Sequence, residues 1–179
     1  MLERFLKQTT FSSQEDFMKN FRVEVPENFN FGYDVVDAWA EEQPDKKALL
    51  WVGKDKEKID FTFADIKRES DRAASYFTSL GIEKGDRVML ILKRHYEFWF
   101  SIIALHKIGA VCIPATHLLM PHDIVYRNNA AGVKMIVACG DKEVTDRIDE
   151  AMPLSSTVKL RVSVGPYVPQ GWEDFHKGL

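Results

Sequence analysis

Hydrophobic positions in this chain switch between two spacings, and Asp86 to Pro114 (DRVMLILKRHYEFWFSIIALHKIGAVCIP) contains both in one unit. Val88, Leu90, Ile91 and Leu92 form an almost continuous apolar run, the pattern of a strand covered on both faces, and Ala110 to Pro114 repeats it in brief. Between them Phe98, Ile102 and Leu105 fall at helical spacing. Trp99, Phe100, Ile103 and Ile108 widen that stripe until the helix is expected to be enclosed on most sides. Gly109 stops it, because glycine takes the left-handed conformation beyond a helix end without a Cβ clash. Strand, helix and strand in this order predict a right-handed parallel βαβ unit.

The same spacings extend to both sides. Ser12 with Glu15 makes a capping-box pattern ahead of Phe17, Met18 and Phe21, and Pro26 keeps the following stretch extended. A second helix is expected from Asp34 as N-cap, with Val35, Val36, Trp39 and Ala40 on its apolar face, Trp39 as anchor to the core, and Pro44 beyond it. Ala48–Val52 and Ile59–Phe61 read as an antiparallel hairpin across GKDKEK, which would make the sheet mixed. Thr62, with Asp65 three residues on, opens the clearest amphipathic helix (Phe63, Ile66, Ala73, Phe77, Leu80), and Gly81 ends it. Downstream, a helix from Pro121 to Gly132, a strand Met135–Ala138, a helix with Val144 and Ile148 inward, and a strand Val158–Val164 near an edge lead to an irregular close, GPYVPQGWEDFHKGL. The fold class is therefore α/β: a mostly parallel, doubly wound sheet with helices on both faces and an N-terminal antiparallel hairpin.

Composition narrows the function classes. At 179 residues, 45% hydrophobic and 12% aromatic, the chain has material for a real core. A net charge of -3 over 28% charged residues carries no single-sign field, which argues against nucleic acid or an anionic membrane as the main partner. The apolar run around Phe98–Leu105 is far shorter than the roughly 20 residues of a membrane span. The start, MLERFLKQTTFSSQ, lacks the apolar region of a signal peptide, so an intracellular, cytoplasmic protein is expected. Cys112 and Cys139 lie in or just after strand-like runs and are expected to be buried, reduced thiols.

Ligands of open parallel sheets bind beyond the carboxyl ends of the strands, which directs attention to Lys93 with Arg94, Ala115–His117 and Gly140–Lys142. These loops offer cations, a hydroxyl, an imidazole and amides. The five histidines include no HExxH spacing, and His95 and His106 stand about 16 Å apart along one helix at 1.5 Å per residue, too far to share an ion. GxGxxG, GxxxxGK[ST] and GxSxG are all absent, so dinucleotide binding, a P-loop and a nucleophile elbow have no support.

Taken together, FNFGYDVVDAWAEEQPDKKALLWVG, FTFADIKRESDRAASYFTSLGIEKGDRVMLILKR, ALHKIGAVCIPAT, DIVYRNNAAGVKMIVA and GWEDFHKGL resemble the N-terminal region of the AMP-forming acyl-CoA synthetases. Within this adenylate-forming superfamily the chain looks like the medium-chain acyl-CoA and acetyl-CoA synthetase-like members. The likeness runs from about Phe29 to Leu179, so residues 1–28 read as a lead-in and 29–179 as an incomplete N-terminal subdomain.

The resemblance implies a two-step ligase. A carboxylic acid and ATP give acyl-adenylate and pyrophosphate, and CoA then displaces AMP. It also implies ATP, magnesium and CoA as the intact enzyme's cofactors. The family's Ser/Thr/Gly-rich phosphate loop, its later aromatic and acidic motifs and its C-terminal lysine are expected beyond Leu179. The 179 residues alone are therefore expected to lack catalytic residues, to bind none of these cofactors tightly and to be inactive. Lys142 and Arg147 are the candidate contacts to the CoA phosphates, and Met120 stands where relatives often carry a capping hydroxyl. The partner is expected to be the remainder of the enzyme, or another copy held through an apolar patch at Trp172, Phe175 or the helix of the βαβ unit. The alternative is a self-standing α/β module that binds a small ligand in the strand-end crevice.

Overall fold

Residues 2–179 are described by the computed structural model. The capping box expected at Ser12 and Glu15 lies one residue on. Extended backbone at Ser13 aims its hydroxyl at the Asp16 N–H (3.1 Å), and the Asp16 carboxylate accepts from the N–H and hydroxyl of Ser12, starting α1 (Gln14–Asn20). The second helix begins before Asp34. Asn30 Oδ1 accepts the Gly32 N–H at 2.9 Å, the Asp34 carboxylate reaches back to the Asn30 N–H at 2.7 Å, and a π-helical turn, Gly32–Asp37, runs into α2 (Ala38–Glu42). Asn30 takes the capping place because its amide is also pinned to the His106 carbonyl at 2.7 Å. Trp39 is only half-buried and stacks on Phe63 at 5.6 Å, so it ties α2 to the next helix and does not reach the sheet core.

β1 (Lys47–Val52) and β2 (Lys58–Thr62) pair antiparallel, Leu50 opposite Asp60 and Trp51 opposite Ile59. They form a two-stranded sheet of their own, so the expectation of one mixed sheet is corrected. The hairpin lies over helices because its inner face is aromatic: Phe61 meets Phe100 edge-on at 5.4 Å. Thr62 then caps α3 (Phe63–Ser79) in a full capping box with Asp65. Ile66, Ser70, Ala73 and Phe77 are its buried face, and the Ser70 hydroxyl is satisfied by the Lys67 carbonyl at 3.0 Å.

The βαβ unit forms as its spacing predicts: β3 (Arg87–Ile91), α4 (Glu97–Ile108) and β4 (Val111–Pro114), with Gly109 at φ 72° ending the helix. The chain continues through α5 (Pro121–Ala131), β5 (Val133–Cys139), α6 (Lys142–Ala151), β6 (Leu160–Val164), β7 (Glu173–Asp174) and α7 (Phe175–Gly178). Five strands lie in the order β4-β3-β5-β6-β7, all parallel. Strand alternation divides the core. Val88 and Leu90 point to one face with Phe77, Leu105 and Phe175, whereas Met89 and Ile91 point to the other with Ile124, Val144 and Ile148.

Position in the sheet explains three departures from the sequence reading. β4 is an edge, so Val111 is exposed instead of covered on both faces. β6 is interior, since the supposedly irregular close supplies β7 and α7 beside it. Trp172 and Phe175 are buried, not an exposed patch: the Trp172 indole donates to Asp149 at 2.9 Å, and Phe175 packs near Phe77. The large apolar side chains left exposed include Trp99, on the βαβ helix that was the other expected place for a patch, and Phe31 and Tyr33. At Met120 the missing hydroxyl is replaced from inside the helix, where the Asp123 carboxylate accepts the Met120 N–H at 3.2 Å.

One ionic cluster joins the π-helical turn to α3 and α4. The fully buried Lys107 ammonium contacts Asp37 at 2.7 Å and Asp71 at 2.6 Å, and Lys67 bridges the same two carboxylates at 3.2 and 2.9 Å. Burial alone would raise the Asp71 carboxyl, but hydrogen bonds from Lys107 and Lys67 overcome it and hold the group below the usual carboxylate range.

Candidate functional site

The strand order places β3 beside both β4 and β5. From β3 the chain goes first to one side and then to the other, so the gap beyond the ends of β3 and β5 is the topological switch point. Lys93 and Asp141 meet there. Their Nζ–Oδ2 distance is 2.6 Å, and the other Asp141 oxygen caps α6 by accepting the Glu143 N–H at 3.0 Å. The hydrogen bond to Asp141 raises the Lys93 pKa, and the bond from Lys93 holds the Asp141 carboxyl low. Lys93 adopts φ 48°, a left-handed conformation uncommon for a residue with a Cβ. Gly140 beside it has no room for a side chain, since a Cβ would stand 2.5 Å from the Tyr167 carbonyl oxygen.

A crevice of about 940 Å³ opens on the α4 side of this point, between the ends of β3 and β4 and the hairpin tip. Leu92, Phe98 and Trp51 line its apolar part, and Lys54, Arg94 and His117 stand among its polar residues. The hairpin is fastened at this place: the Trp51 indole N–H donates to the Arg94 carbonyl at 2.6 Å, and the ring meets Tyr96 edge-on at 5.3 Å. Of the three loops singled out in the sequence, Lys93, Arg94, Thr116 and His117 thus gather at one crevice, and the Gly140–Lys142 loop reaches it through Asp141.

Lys142 and Arg147 lie away from that crevice, on α6. Lys142 is held by Asp146 at 2.7 Å, a bond that raises its pKa. Arg147 pairs with Glu143 one turn back and donates to the His117 carbonyl at 3.4 Å, so it also braces the loop after β4. Both cations therefore carry a carboxylate partner already.

Two features escaped the sequence reading. Trp51 appeared only as a strand residue, because nothing local marks a bond to Arg94 across 43 positions. Glu97 is buried at the start of α4, with His176 Nε2 at 3.3 Å and His95 Nδ1 at 3.6 Å from its carboxylate. An acid opening a strongly apolar helix was its only signal. His106 faces Phe31 edge-on, and burial lowers its pKa.

Cys139 is buried and Cys112 half-buried, both free; burial pushes the Cys112 thiol up to about 11 and raises that of Cys139. Both are thus protonated and unreactive at neutral pH. Among the described residues no group of three or more His, Cys, Asp or Glu side chains is placed to hold a metal ion, and no helix is long and apolar enough to cross a membrane.

Comparison with known proteins agrees with this architecture. The acyl-coenzyme A synthetase ACSM4, mitochondrial, of Mus musculus is 34% identical over 173 residues, covering 92% of this chain and 30% of its own. The corresponding ACSM5 protein of Rattus norvegicus is 32% identical over 161 residues, covering 87% and 28%. The chain thus spans about 30% of the length of such curated relatives. A solved structure from Rhodopseudomonas palustris CGA009, named for long-chain-fatty-acid CoA ligases, superposes with a TM-score of 0.73 at 23% identity, over 85% of this chain and 36% of that one, and supports the fold. The family described as AMP-binding enzyme matches residues 36–177. With that match over most of its length and a parallel sheet to carry it, this chain belongs to the AMP-binding enzyme family.

Proposed function

We propose that this chain is the N-terminal region, with 29–179 as its subdomain, of an AMP-forming acid–thiol ligase. In that reaction a carboxylate oxygen bonds to the α-phosphorus of ATP and pyrophosphate leaves. The CoA sulfur then bonds to the acyl carbon and AMP leaves. The observation that carries the reading is the family match over 36–177, supported by relatives named as acyl-CoA synthetases. Both steps concentrate negative charge, which is stabilised by fixed cations and amides, and magnesium would supply further neutralisation when bound.

This chain's own contribution is the scaffold. No Ser/Thr/Gly-rich phosphate loop occurs in its 179 residues, so alone it should not adenylate an acid. Acid-dependent ATP–pyrophosphate exchange is expected to be absent from the 179-residue protein and present in a longer product of the same reading frame. Exchange by the short protein would overturn this.

Lys142 and Arg147 are the proposed contacts to the CoA phosphates. A phosphate would have to take the places of Asp146 and Glu143, an exchange that water-exposed carboxylates permit although Arg147 itself is half-buried. Reversing both charges in the longer protein should raise KM for CoA and leave KM for ATP unchanged; an unchanged KM for CoA rejects the assignment. The cytoplasmic location expected from the sequence belongs to the proposal too. Relatives named mitochondrial supply its competitor, and cell fractionation decides between them.

A further inference from the structure

A second cavity, of about 390 Å³, lies among β2, α3, α4 and α7 and shares no lining residue with the strand-end crevice. Four carboxylates, Asp60, Asp65, Glu69 and Glu97, line it against two guanidinium groups, Arg68 and Arg72. Three of the four hold a permanent cation. Lys47 meets Asp60 at 2.8 Å, Arg68 meets Asp65 at 2.9 Å, and Arg72 meets Glu69 at 3.0 Å. Among the described residues Glu97 has none, although its side chain is 5% exposed against 56% for Asp60. Its nitrogen neighbours are imidazoles, His176 at 3.3 Å and His95 at 3.6 Å, which carry charge only when protonated, and its Oε2 is buried without a hydrogen-bond partner. The Tyr96 phenol beside it is neutral too, since burial and then the charge of Glu97 raise its pKa. An aromatic wall completes the cavity: Phe61, Tyr96 and Phe100 all line it and meet pairwise at 5.1, 5.4 and 5.6 Å.

A buried carboxylate beside aromatic rings selects a particular chemistry. Taking a carboxylate out of water without a cation is costly, and a charged N–H donor offsets that cost where a neutral molecule does not. Ring faces attract the same positive charge, and an anion would meet four carboxylates. Among the described residues no group of side chains is placed to hold a metal ion, which leaves an organic cation. We infer that this cavity binds a small organic cation, a primary ammonium or guanidinium group, with its N–H donors at Glu97 and its carbon portion against Phe61, Tyr96 and Phe100. The volume is within the range of small-molecule sites. The inference goes beyond the ligase reading and does not rest on it, so its failure would leave the family assignment untouched.

The test is a titration of the 179-residue chain labelled with nitrogen-15, followed through its backbone amides. Butylammonium and butylguanidinium chlorides should shift the amides of Phe61, Glu97, Phe100 and His176, and the tighter of the two identifies the head group. Butanol, which lacks the charge, and tetramethylammonium, which has the charge without N–H donors, should bind at least about tenfold more weakly. Glu97→Gln keeps the shape of the side chain and should weaken the tighter probe about tenfold, because a charge-assisted hydrogen bond is lost. Phe61→Leu should weaken it about threefold through the lost ring face, and it carries the test should Glu97→Gln not fold. Three results overturn the inference: no response at these amides, an equal response to butanol or tetramethylammonium, or wild-type affinity in the folded Glu97→Gln or in Phe61→Leu. Leu179 also lines the cavity, so binding that disappears when its terminal carboxylate is amidated belongs to the chain end and overturns the inference as well.

Discussion

Lys107 and Lys93 each hold an aspartate at nearly the same distance, 2.7 Å to Asp37 in one case and 2.6 Å to Asp141 in the other. Their surroundings differ. The Lys107 and Asp37 side chains are 0% and 7% exposed, those of Lys93 and Asp141 32% and 40%. Burial, not distance, therefore decides what each pair does. Around Lys107 its own ammonium and Asp37 are out of water, while Lys67 and Asp71, 37% and 44% exposed, complete the cluster from its solvent side. Removing Lys107 leaves the desolvated Asp37 without its buried partner. At Lys93 water can replace either partner, so the pair is weak and available for exchange at the mouth of a crevice.

The comparison breaks most clearly at Lys107. Lys107→Met should cost about 3–5 kcal/mol in urea unfolding, because Asp37 stays buried with only Lys67 beside it; a loss below about 1 kcal/mol would place this cluster with the surface pairs. An intermediate effect is expected at the part-buried cap of α3. Thr62→Ala should cost about 1 kcal/mol. The Asp65 carboxyl there is held below its ordinary value, first by the Thr62 backbone N–H and further by its hydroxyl and Arg68, against the opposing effect of burial. A carboxyl depressed in the folded state stabilises above its unfolded pKa and loses that stabilisation as pH falls through the folded one. Stability should therefore decline below about pH 4, and Asp65→Asn should flatten that decline in acid unfolding curves. The smallest effect belongs to Lys93→Gln, about 0.2–1 kcal/mol and smaller still in high salt. A larger, salt-independent loss would show that the switch-point pair is architecture after all.

Most elements were legible because their signals are local. The capping pair Thr62 and Asp65 and the stop at Gly109 act within a single turn, and all stand where the sequence put them. The α1 box moved by one residue because two adjacent serines offer the same hydroxyl, and only backbone conformation chooses between them. The crevice was half legible. The strand-end rule pointed to Lys93, Arg94 and His117, but the wall contributed by Trp51 depends on how the hairpin lies across α4.

By itself the sequence determined the alternation of strand and helix, the apolar faces and the family, because these follow from spacing and from residue order along the chain. Only the tertiary structure decided that the hairpin stands apart from the parallel sheet, that β7 covers β6, and that Trp172 and Phe175 are enclosed. It also joined Lys93 to Asp141 across 48 positions. The physical reason is common to all of these: a pattern of spacing says which face must leave water, but not which distant segment will cover it.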